Sequence, residues 1–296
     1  MTPFAIVTVI HDSERDLSRL LDTIERYLSP RPQVVVVDSG SSDEGGALAA
    51  ARGAKVVTLD SNRGFGAGCN AGLELVEAPV TALVNPDVEL LDGGLGRLAA
   101  EAAEREALLA PRLLNSDGSV QDSAHPIPGR LEALVPALVP RPLLPPPLRR
   151  RYEPWRGDHP HPVGWAIAAC LVARTDLLRR LGPFDPGAFL FYEDMELCLR
   201  ARRAAIPTLL RPEVALRHRG GASTAPALGA RDLGMRAHRR REVVGREGST
   251  ALALDDLAEA VTYATRAGAR RLARRGGGLE LARLRALRAA RREMRP

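Results

Sequence analysis

Residues 184–223 place an acidic pair, Glu193 and Asp194, directly after Phe191 and Tyr192, with Glu196 close behind and His218 further on. Burial disfavours an ionised carboxylate, so such a pair must be partnered, solvated in a cleft, or used as a base. Three further groups could give that base something to act on. Asp38 follows the apolar run Gln33–Val37 and leads into Ser-Gly-Ser-Ser-Asp43. A carboxylate placed there either accepts hydrogen bonds from a nucleoside base or ribose, or caps the turn it enters. Asp87 and Glu89 stand two residues apart, just past another apolar run. Two carboxylates completed by a ligand's phosphates can hold a hard divalent cation; the alternative is an ordinary Asn-Pro-Asp turn. Asn62–Asn70 carries Gly64, Gly66 and Gly68, which permit close approach of a nucleotide or of a neighbouring helix.

The elements that must position these groups alternate in type. Apolar, β-branched runs predict strands at Phe4–Ile10, Gln33–Val37, Lys55–Leu59, Val80–Val84 and Leu108–Ala110. Helical spacing predicts helices at Asp16–Tyr27, at Glu44–Arg52 with Ser42 or Asp43 as cap, near Ala71–Val76, and at Gly94–Arg105. This is an α/β pattern with a doubly wound, mainly parallel sheet. Asp38 and Asp87 then lie beyond the carboxyl ends of strands, where such sheets bind ligands. Further on, Val163–Ala173 reads as a strand and Asp176–Leu181 and Glu193–Ala204 as helices, with Glu196 an ordinary residue of the latter. Pro207–Leu210 and Val214–Leu216 read as two more strands. The proline-rich stretch 126–162 reads as a long connection or lid. Arg231–Arg246 and Leu257–Arg292 are arginine-rich helical stretches, the second broken at Gly276-Gly-Gly278.

The bulk composition bounds the class. The chain has 296 residues and a formal net charge of +6, carried almost wholly by arginine, with Lys55 the one lysine. Three scattered cysteines, Cys69, Cys170 and Cys198, give neither a metal-type pair nor an even disulfide set, so a reducing, cytoplasmic compartment is expected. Residues 1–10 lack the basic start of a signal peptide, and no apolar run is long enough to span a membrane. The turn after the first strand reads His11-Asp-Ser-Glu14, which is no dinucleotide fingerprint, and no GxxxxGK[ST] loop occurs. Basic amphipathic helices can lie on an anionic membrane surface or pack on their own domain.

Seven stretches together resemble the family-two inverting glycosyltransferases, and within them the rhamnosyltransferase-like group. They are VVVVDSGSSDE (34–44), NRGFGAGCNAGL (62–73), ALVNPDVEL (82–90), NSDGSVQDSAHPIPG (115–129), HPVGWAIAACLVARTDLLRRLGPFD (161–185), FDPGAFLFYEDMELCLRARRA (184–204) and RPEVALRHRGGAS (211–223). The resemblance implies a GT-A fold over residues 1–225, with a nucleotide-sugar half to about 110, an acceptor half from 111, and an arginine-rich extension at 226–296. It implies nucleotide-sugar contacts from Asp38, Asn62, Gly64, Gly66, Asn70 and Asp87. It implies Asp194 as catalytic base with Glu193 at the acceptor hydroxyl, and Trp165 on the acceptor side. It assigns Mg²⁺ or Mn²⁺ to Asp87, Glu89 and His218. Arg217 or Arg219 could help hold a diphosphate. Three departures stand out: Arg217 replaces a common first histidine, Ala-Ile-Ala-Ala-Cys follows Trp165 where serine-glycine is common, and Pro186 replaces a frequent acidic residue.

The expected reaction moves a sugar, with dTDP-rhamnose the best single donor, to a hydroxyl of a glycan or lipid-linked acceptor at the cytoplasmic membrane face. No nucleic acid partner is expected. A nucleotidyltransferase is the alternative enzyme, although the glycine-rich basic loop after the first strand is missing. A non-catalytic nucleotide-sugar-binding scaffold is the other alternative, and it would have no use for the Glu193-Asp194 pair.

Overall fold

Strands buried on both faces need helices on both faces, and the chain supplies them in turn. The computed structural model describes residues 2–139, 143–185, 187–220, 230–274 and 276–294. The expected features at Pro186 and at 221–225 therefore lie outside the described residues. The elements run β1 (Phe4–Ile10), α1 (Glu14–Tyr27), β2 (Gln33–Ser39), α2 (Gly45–Ala51), β3 (Lys55–Leu59), α3 (Phe65–Glu74), β4 (Val80–Val84), β5 (Val88–Leu90), α4 (Gly94–Glu104), β6 (Leu108–Leu114) and β7 (Ala124–His125). They continue with α5 (Leu134–Leu138), α6 (Pro146–Tyr152), β8 (His161–Val163), β9 (Trp165–Ala166), β10 (Cys170–Arg174), α7 (Thr175–Leu181), α8 (Glu193–Arg203), β11 (Thr208–His218), α9 (Ala230–Gly245), α10 (Ser249–Leu272) and α11 (Gly278–Glu293).

The chain divides into two compact units. The first comprises Met1–His125 and Trp155–Ser223. Its sheet runs in the order β3-β2-β1-β4-β10-β6-β11-β5, with β8 also on β11. The first four strands are parallel, as the alternating pattern predicts. β10 enters antiparallel between β4 and β6, and β5 and β8 pair antiparallel with β11, so the sheet is mixed. On one face, Phe4, Ile6 and Ile10 of β1 share a core with Leu17, Leu20, Leu21 and Ile24 of α1 and Leu95 and Leu98 of α4. Val7 and Val9 point the other way, as period-two alternation requires, and meet α3.

Several sequence expectations change here. The glycine-rich segment is not a loop leading to a later helix: the helix already begins at Phe65. Its glycines lower helix propensity but let α3 sit close on the sheet, since a Cβ at Gly72 would come 2.5 Å from Val7 Cγ1. Val163–Ala173 is not one strand but the end of β8, then β9, a turn, and β10. The two strands expected after 207 form one strand, β11, whose register on β6 shifts between Arg211 and Ala215. Pro212 sits within that shift; it has no N–H to give a ladder, and irregularities accommodate it.

The second unit comprises Pro126–Pro154 and Thr224–Pro296. Most of the expected lid thus packs with the C-terminal helices, where Thr265 Oγ1 of α10 donates to the Ala137 carbonyl of α5 at 3.0 Å. The remainder, from Trp155, belongs to the first unit, and its last residues, His161 and Pro162, enter β8 of the main sheet. Buried Asp255 and Asp256 hold the arginine-rich helices together. Arg240 of α9 grips Asp255 with two hydrogen bonds of 2.8 Å. Arg241 of α9 and Arg291 of α11 both pair with Asp256. Charge-assisted bonds of this kind give orientation as well as attraction.

Close packing of α3 yields a direct test. Gly72→Ala gains helix propensity but drives a methyl into Val7, and overpacking of this kind costs about 1–3 kcal/mol. Denaturant titration should show a net loss of stability. An unchanged or higher midpoint would mean α3 does not approach the sheet this closely.

Candidate active site

The antiparallel pairing of β5 with β11 brings together residues about 130 positions apart. Val88 lies opposite His218, Glu89 opposite Arg217 and Leu90 opposite Leu216. Beyond the last pair, the Arg219 N–H donates to the Asp87 carbonyl at 3.1 Å. His218 Nε2 then stands 3.2 Å from Asp87 Oδ1, with both residues 8% exposed. The other ring nitrogen, Nδ1, is 2.8 Å from Gln121 Oε1. The aspartate and histidine singled out in the sequence therefore converge, and Gln121, unnoticed there, braces them.

Glu89 does not join this pair. Its carboxylate takes hydrogen bonds from Arg217 Nη1 at 3.0 Å and Arg219 Nε at 2.9 Å. Burial alone would raise its pKa, but the two arginines outweigh burial and hold it below the usual carboxylate range. Glu89 is thus engaged with guanidinium groups rather than standing beside Asp87 as a second ligand.

Asp194 lies in the first turn of α8, entered through two aromatic residues with left-handed backbone, Phe191 (φ 75°) and Tyr192 (φ 61°). Bulky residues rarely adopt that conformation, at a cost of about 1–3 kcal/mol each. The Ala168 N–H donates to Asp194 Oδ2 at 3.2 Å, and the Met195 N–H to Oδ1 at 2.7 Å. Burial raises the Asp194 carboxyl to about 6, although both backbone donors act in the opposite sense. Trp165 meets Tyr192 edge-on, with ring centroids 6.4 Å apart, and stacks on His125 at 4.1 Å. Ala168 gives its backbone rather than its side chain, so the alanine-rich departure after Trp165 retains a contact with the acidic pair. The next residue completes a joint, for the Ala169 carbonyl accepts the Asn85 N–H at 3.0 Å. Adjacent residues thereby tie the Asp194 side to the Asp87 side.

The Asn62–Asn70 segment serves as a clamp. Asn70 brackets the Phe184 backbone, Nδ2 donating to its carbonyl at 2.9 Å and Oδ1 accepting its N–H at 2.8 Å. Gly64 has φ 84°, and a Cβ there would fall 1.8 Å from the Phe189 carbonyl oxygen. A Cβ at Gly66 would lie 3.0 Å from Phe184 Cβ. Asn62 Oδ1 accepts the Gly64 N–H at 3.0 Å, which shapes the turn. These four residues, read from the resemblance as nucleotide-sugar contacts, hold the segment between α7 and α8 that leads into Glu193 and Asp194. Asp38, the next-to-last residue of β2, accepts the Ser41 N–H on Oδ1 at 2.9 Å, so it caps its turn. Glu196 is not an ordinary surface residue. It is buried and bound to Arg200, whose Nη1 also reaches the Leu181 and Pro183 carbonyls at 2.8 and 2.9 Å. Its place one helical turn before Arg200 was the available signal.

A sequence profile described as Glycosyl transferase family 2 matches residues 5–168, more than half of the chain. The chain belongs to that family. It is 28% identical over 240 residues to N-acetylglucosaminyl-diphospho-decaprenol L-rhamnosyltransferase of Mycobacterium tuberculosis, covering 74% of this chain and 76% of the relative. It is 26% identical over 211 residues to the low-salt glycan biosynthesis hexosyltransferase Agl10 of Haloferax volcanii, covering 68% and 62% respectively. Among solved structures it is similar to the mannosyltransferase PcManGT from Pyrobaculum calidifontis in complex with GDP-Man and Mn²⁺. That match has a TM-score of 0.60 and 14% identity, over 100% of this chain and 89% of that one. It is also similar to S. aureus TarS 1-349 in complex with UDP, at TM-score 0.53 and 16% identity, over 88% and 70%. The fold is the GT-A fold. The protein is a rhamnosyltransferase-like glycosyltransferase that uses a nucleotide-sugar donor. Among the described residues, no helix is long and apolar enough to cross a membrane.

For this glycosyltransferase, the raised Asp194 pKa gives a signed prediction. A base must be ionised, so if Asp194 is the base kcat/KM should fall about tenfold per pH unit below a midpoint near 6. Stability moves the other way. An acid raised above its ordinary value of 3.8 stabilises the fold below that value and loses the contribution as pH rises through about 6. Asp194→Asn should therefore abolish transfer, and its Tm relative to wild type should be more favourable at pH 8 than at pH 4, although its amide nitrogen cannot accept one of the two backbone N–H groups. A flat rate profile between pH 5 and 8, or a Tm difference between variant and wild type that does not change from pH 4 to pH 8, contradicts the assignment.

Proposed function

We propose that this glycosyltransferase inverts configuration, moving rhamnose from dTDP-rhamnose to a hydroxyl of a lipid-linked glycan acceptor. Rhamnose and the lipid-linked acceptor rest on likeness to the mycobacterial rhamnosyltransferase. The observation that carries the mechanism is the convergence of Asp87 Oδ1 and His218 Nε2 near the Asp194 helix, with residues 168 and 169 joining the two sides.

In this reading Asp194 takes the proton of the acceptor hydroxyl as its oxygen bonds to the anomeric carbon from the face opposite the diphosphate. The bond from that carbon to the diphosphate oxygen breaks, and nucleoside diphosphate leaves. Glu193 and Trp165 orient the acceptor, and Asp38 holds the nucleoside. Asn62, Gly64, Gly66 and Asn70 act by shaping the segment before α8.

The donor set at Asp87 and His218 fits a divalent cation. A carboxylate oxygen and an imidazole nitrogen meet at 3.2 Å, and no cluster of three metal-type side chains occurs among the described residues. The diphosphate and water must then complete the shell, which is how Mg²⁺ is usually held beside phosphates. A bound Mg²⁺ or Mn²⁺ would neutralise charge on the departing diphosphate. Arg217 and Arg219, fixed by Glu89, stand next to His218 in the chain and add positive charge on the same strand end.

The acceptor reading calls for an anionic membrane surface. Its support is the second unit, rich in arginine and carrying exposed Leu131, Leu138, Leu148, Leu272 and Leu279. The enzyme would then work at the cytoplasmic face.

The test is a donor panel with a polyprenyl-diphosphate-GlcNAc acceptor, following nucleoside diphosphate release and the anomeric configuration of the product. dTDP-rhamnose should be used at least tenfold better than other sugars, with inversion, and EDTA should stop transfer until Mg²⁺ or Mn²⁺ is restored. Preference for another nucleotide sugar would remove the rhamnose assignment. Retention of configuration would remove Asp194 as the base of a direct displacement.

A further inference from the structure

The stretch Asn115-Ser-Asp-Gly-Ser-Val-Gln121 is used by nothing in the mechanism above, yet it ends on His218. It forms a tight turn between β6 and the segment leading to β7. The Asn115 N–H donates to the Ser119 carbonyl at 2.8 Å, and the Gly118 N–H to the Asn115 carbonyl at 2.9 Å. Gly118 takes the left-handed φ of 81° that this turn needs. The Gln121 N–H donates to the Leu113 carbonyl at 2.8 Å, which fixes that residue's backbone on β6.

Four side-chain contacts then form a directed chain. Asp117 Oδ1 lies 2.6 Å from Ser119 Oγ. Ser119 Oγ lies 2.9 Å from the Asn115 amide, which in turn lies 3.1 Å from the Gln121 amide. Gln121 lies 2.8 Å from His218 Nδ1. An ionised carboxylate can only accept, and its bonds from Ser119 hold Asp117 below its ordinary pKa. The single hydroxyl proton of Ser119 is therefore spent on Asp117. The Asn115 atom facing Ser119 must be the donating Nδ2, which turns Oδ1 toward Gln121. Gln121 must present Nε2 to that oxygen, which turns Oε1 toward His218. Nδ1 of His218 must then carry the proton.

We propose that Asn115–Gln121 is a tautomer selector for the cation site, with Gln121 as the positioning residue that keeps the His218 proton on Nδ1. The proposal rests on the reading of Asp87 and His218 as that site. Left alone, a neutral imidazole 3.2 Å from a carboxylate is best served by the opposite tautomer, with Nε2–H donating to Asp87. That bond would occupy both ligand atoms with each other. In the neutral ring the relay forbids it and leaves two lone pairs facing one another, an arrangement a cation relieves. Partners on the far nitrogen of a metal-binding histidine set ring orientation and basicity, and their loss typically weakens metal binding 10–100-fold.

The experiment uses the full chain labelled with ¹⁵N at histidine. Long-range ¹H–¹⁵N spectra at about pH 8.5, without metal, report which nitrogen of His218 carries the proton, with His218→Gln giving the assignment. Mn²⁺ affinity is measured in parallel by electron paramagnetic resonance, with and without dTDP. The wild type should be protonated at Nδ1. Gln121→Met, which removes the acceptor, should shift the proton to Nε2 and weaken Mn²⁺ about tenfold or more. Gln121→Glu, which still accepts, should keep Nδ1–H and stay within about threefold of wild type. An Nε2-bound proton in a wild type that binds Mn²⁺ overturns the relay alone, as does unchanged Mn²⁺ affinity in a folded Gln121→Met. A wild type with no Mn²⁺ affinity in either condition overturns the cation reading and the proposal with it.

Discussion

The site depends on the register between β5 and β11. Three residues of β5 face the last three of β11, and that short ladder is what sets Asp87 beside His218 and Glu89 beside Arg217. A slip of one residue would exchange the two faces and part both pairs. Val88, Leu90 and Leu216, all buried in the main core, make such a slip costly. Apolar packing of Val88, Leu90 and Leu216 therefore fixes both His218, which shares their face, and the Glu89–Arg217 pair on the opposite face. The cross-strand pairing of Glu89 with Arg217 adds a local electrostatic preference for the same register.

The Asp194 side is held by different means. Phe191 and Tyr192 adopt a backbone that would relax if free to do so. The constraint comes from behind, where Asn70 brackets Phe184 and Gly64 allows the Phe189 carbonyl to lie against it. It comes from ahead as well, where the Glu196–Arg200 pair grips the Leu181 and Pro183 carbonyls. The backbone at 168–169 then links Asp194 to Asn85 and so to Asp87. Two adjacent peptide groups, rather than a side-chain contact, thus join the Asp194 side of the site to the Asp87 side.

Much of the first half was legible in the chain. Buried strands announce themselves as apolar runs, and a carboxylate just past such a run must sit at the strand end, as Asp38 and Asp87 do. The parts that were not legible depend on partners distant in sequence. Glu89 looks like a second cation ligand until β11 brings Arg217 and Arg219 against it. Asn62–Asn70 leaves a nucleotide and a neighbouring helix equally open, because glycine signals close approach without saying to what. The pairing of β5 with β11 was invisible because β5 is three residues long, too short for a period to show. Gln121 could be understood only once His218 was placed beside it. In the second unit, helical spacing revealed the helices, but the burial of Asp255 and Asp256 under arginines could not be read from a sequence so rich in arginine.

The central claim is that Asp87 and His218 together receive the cation that accompanies the donor diphosphate. Anomalous X-ray scattering from crystals grown with Mn²⁺ and dTDP tests it most directly. The account predicts one Mn²⁺ peak bridging Asp87 Oδ1 and His218 Nε2, with diphosphate oxygens in its shell and Glu89 still bound to Arg217 and Arg219. A Mn²⁺ ion coordinated by Glu89 in place of His218, or diphosphate seated away from both residues, would contradict it.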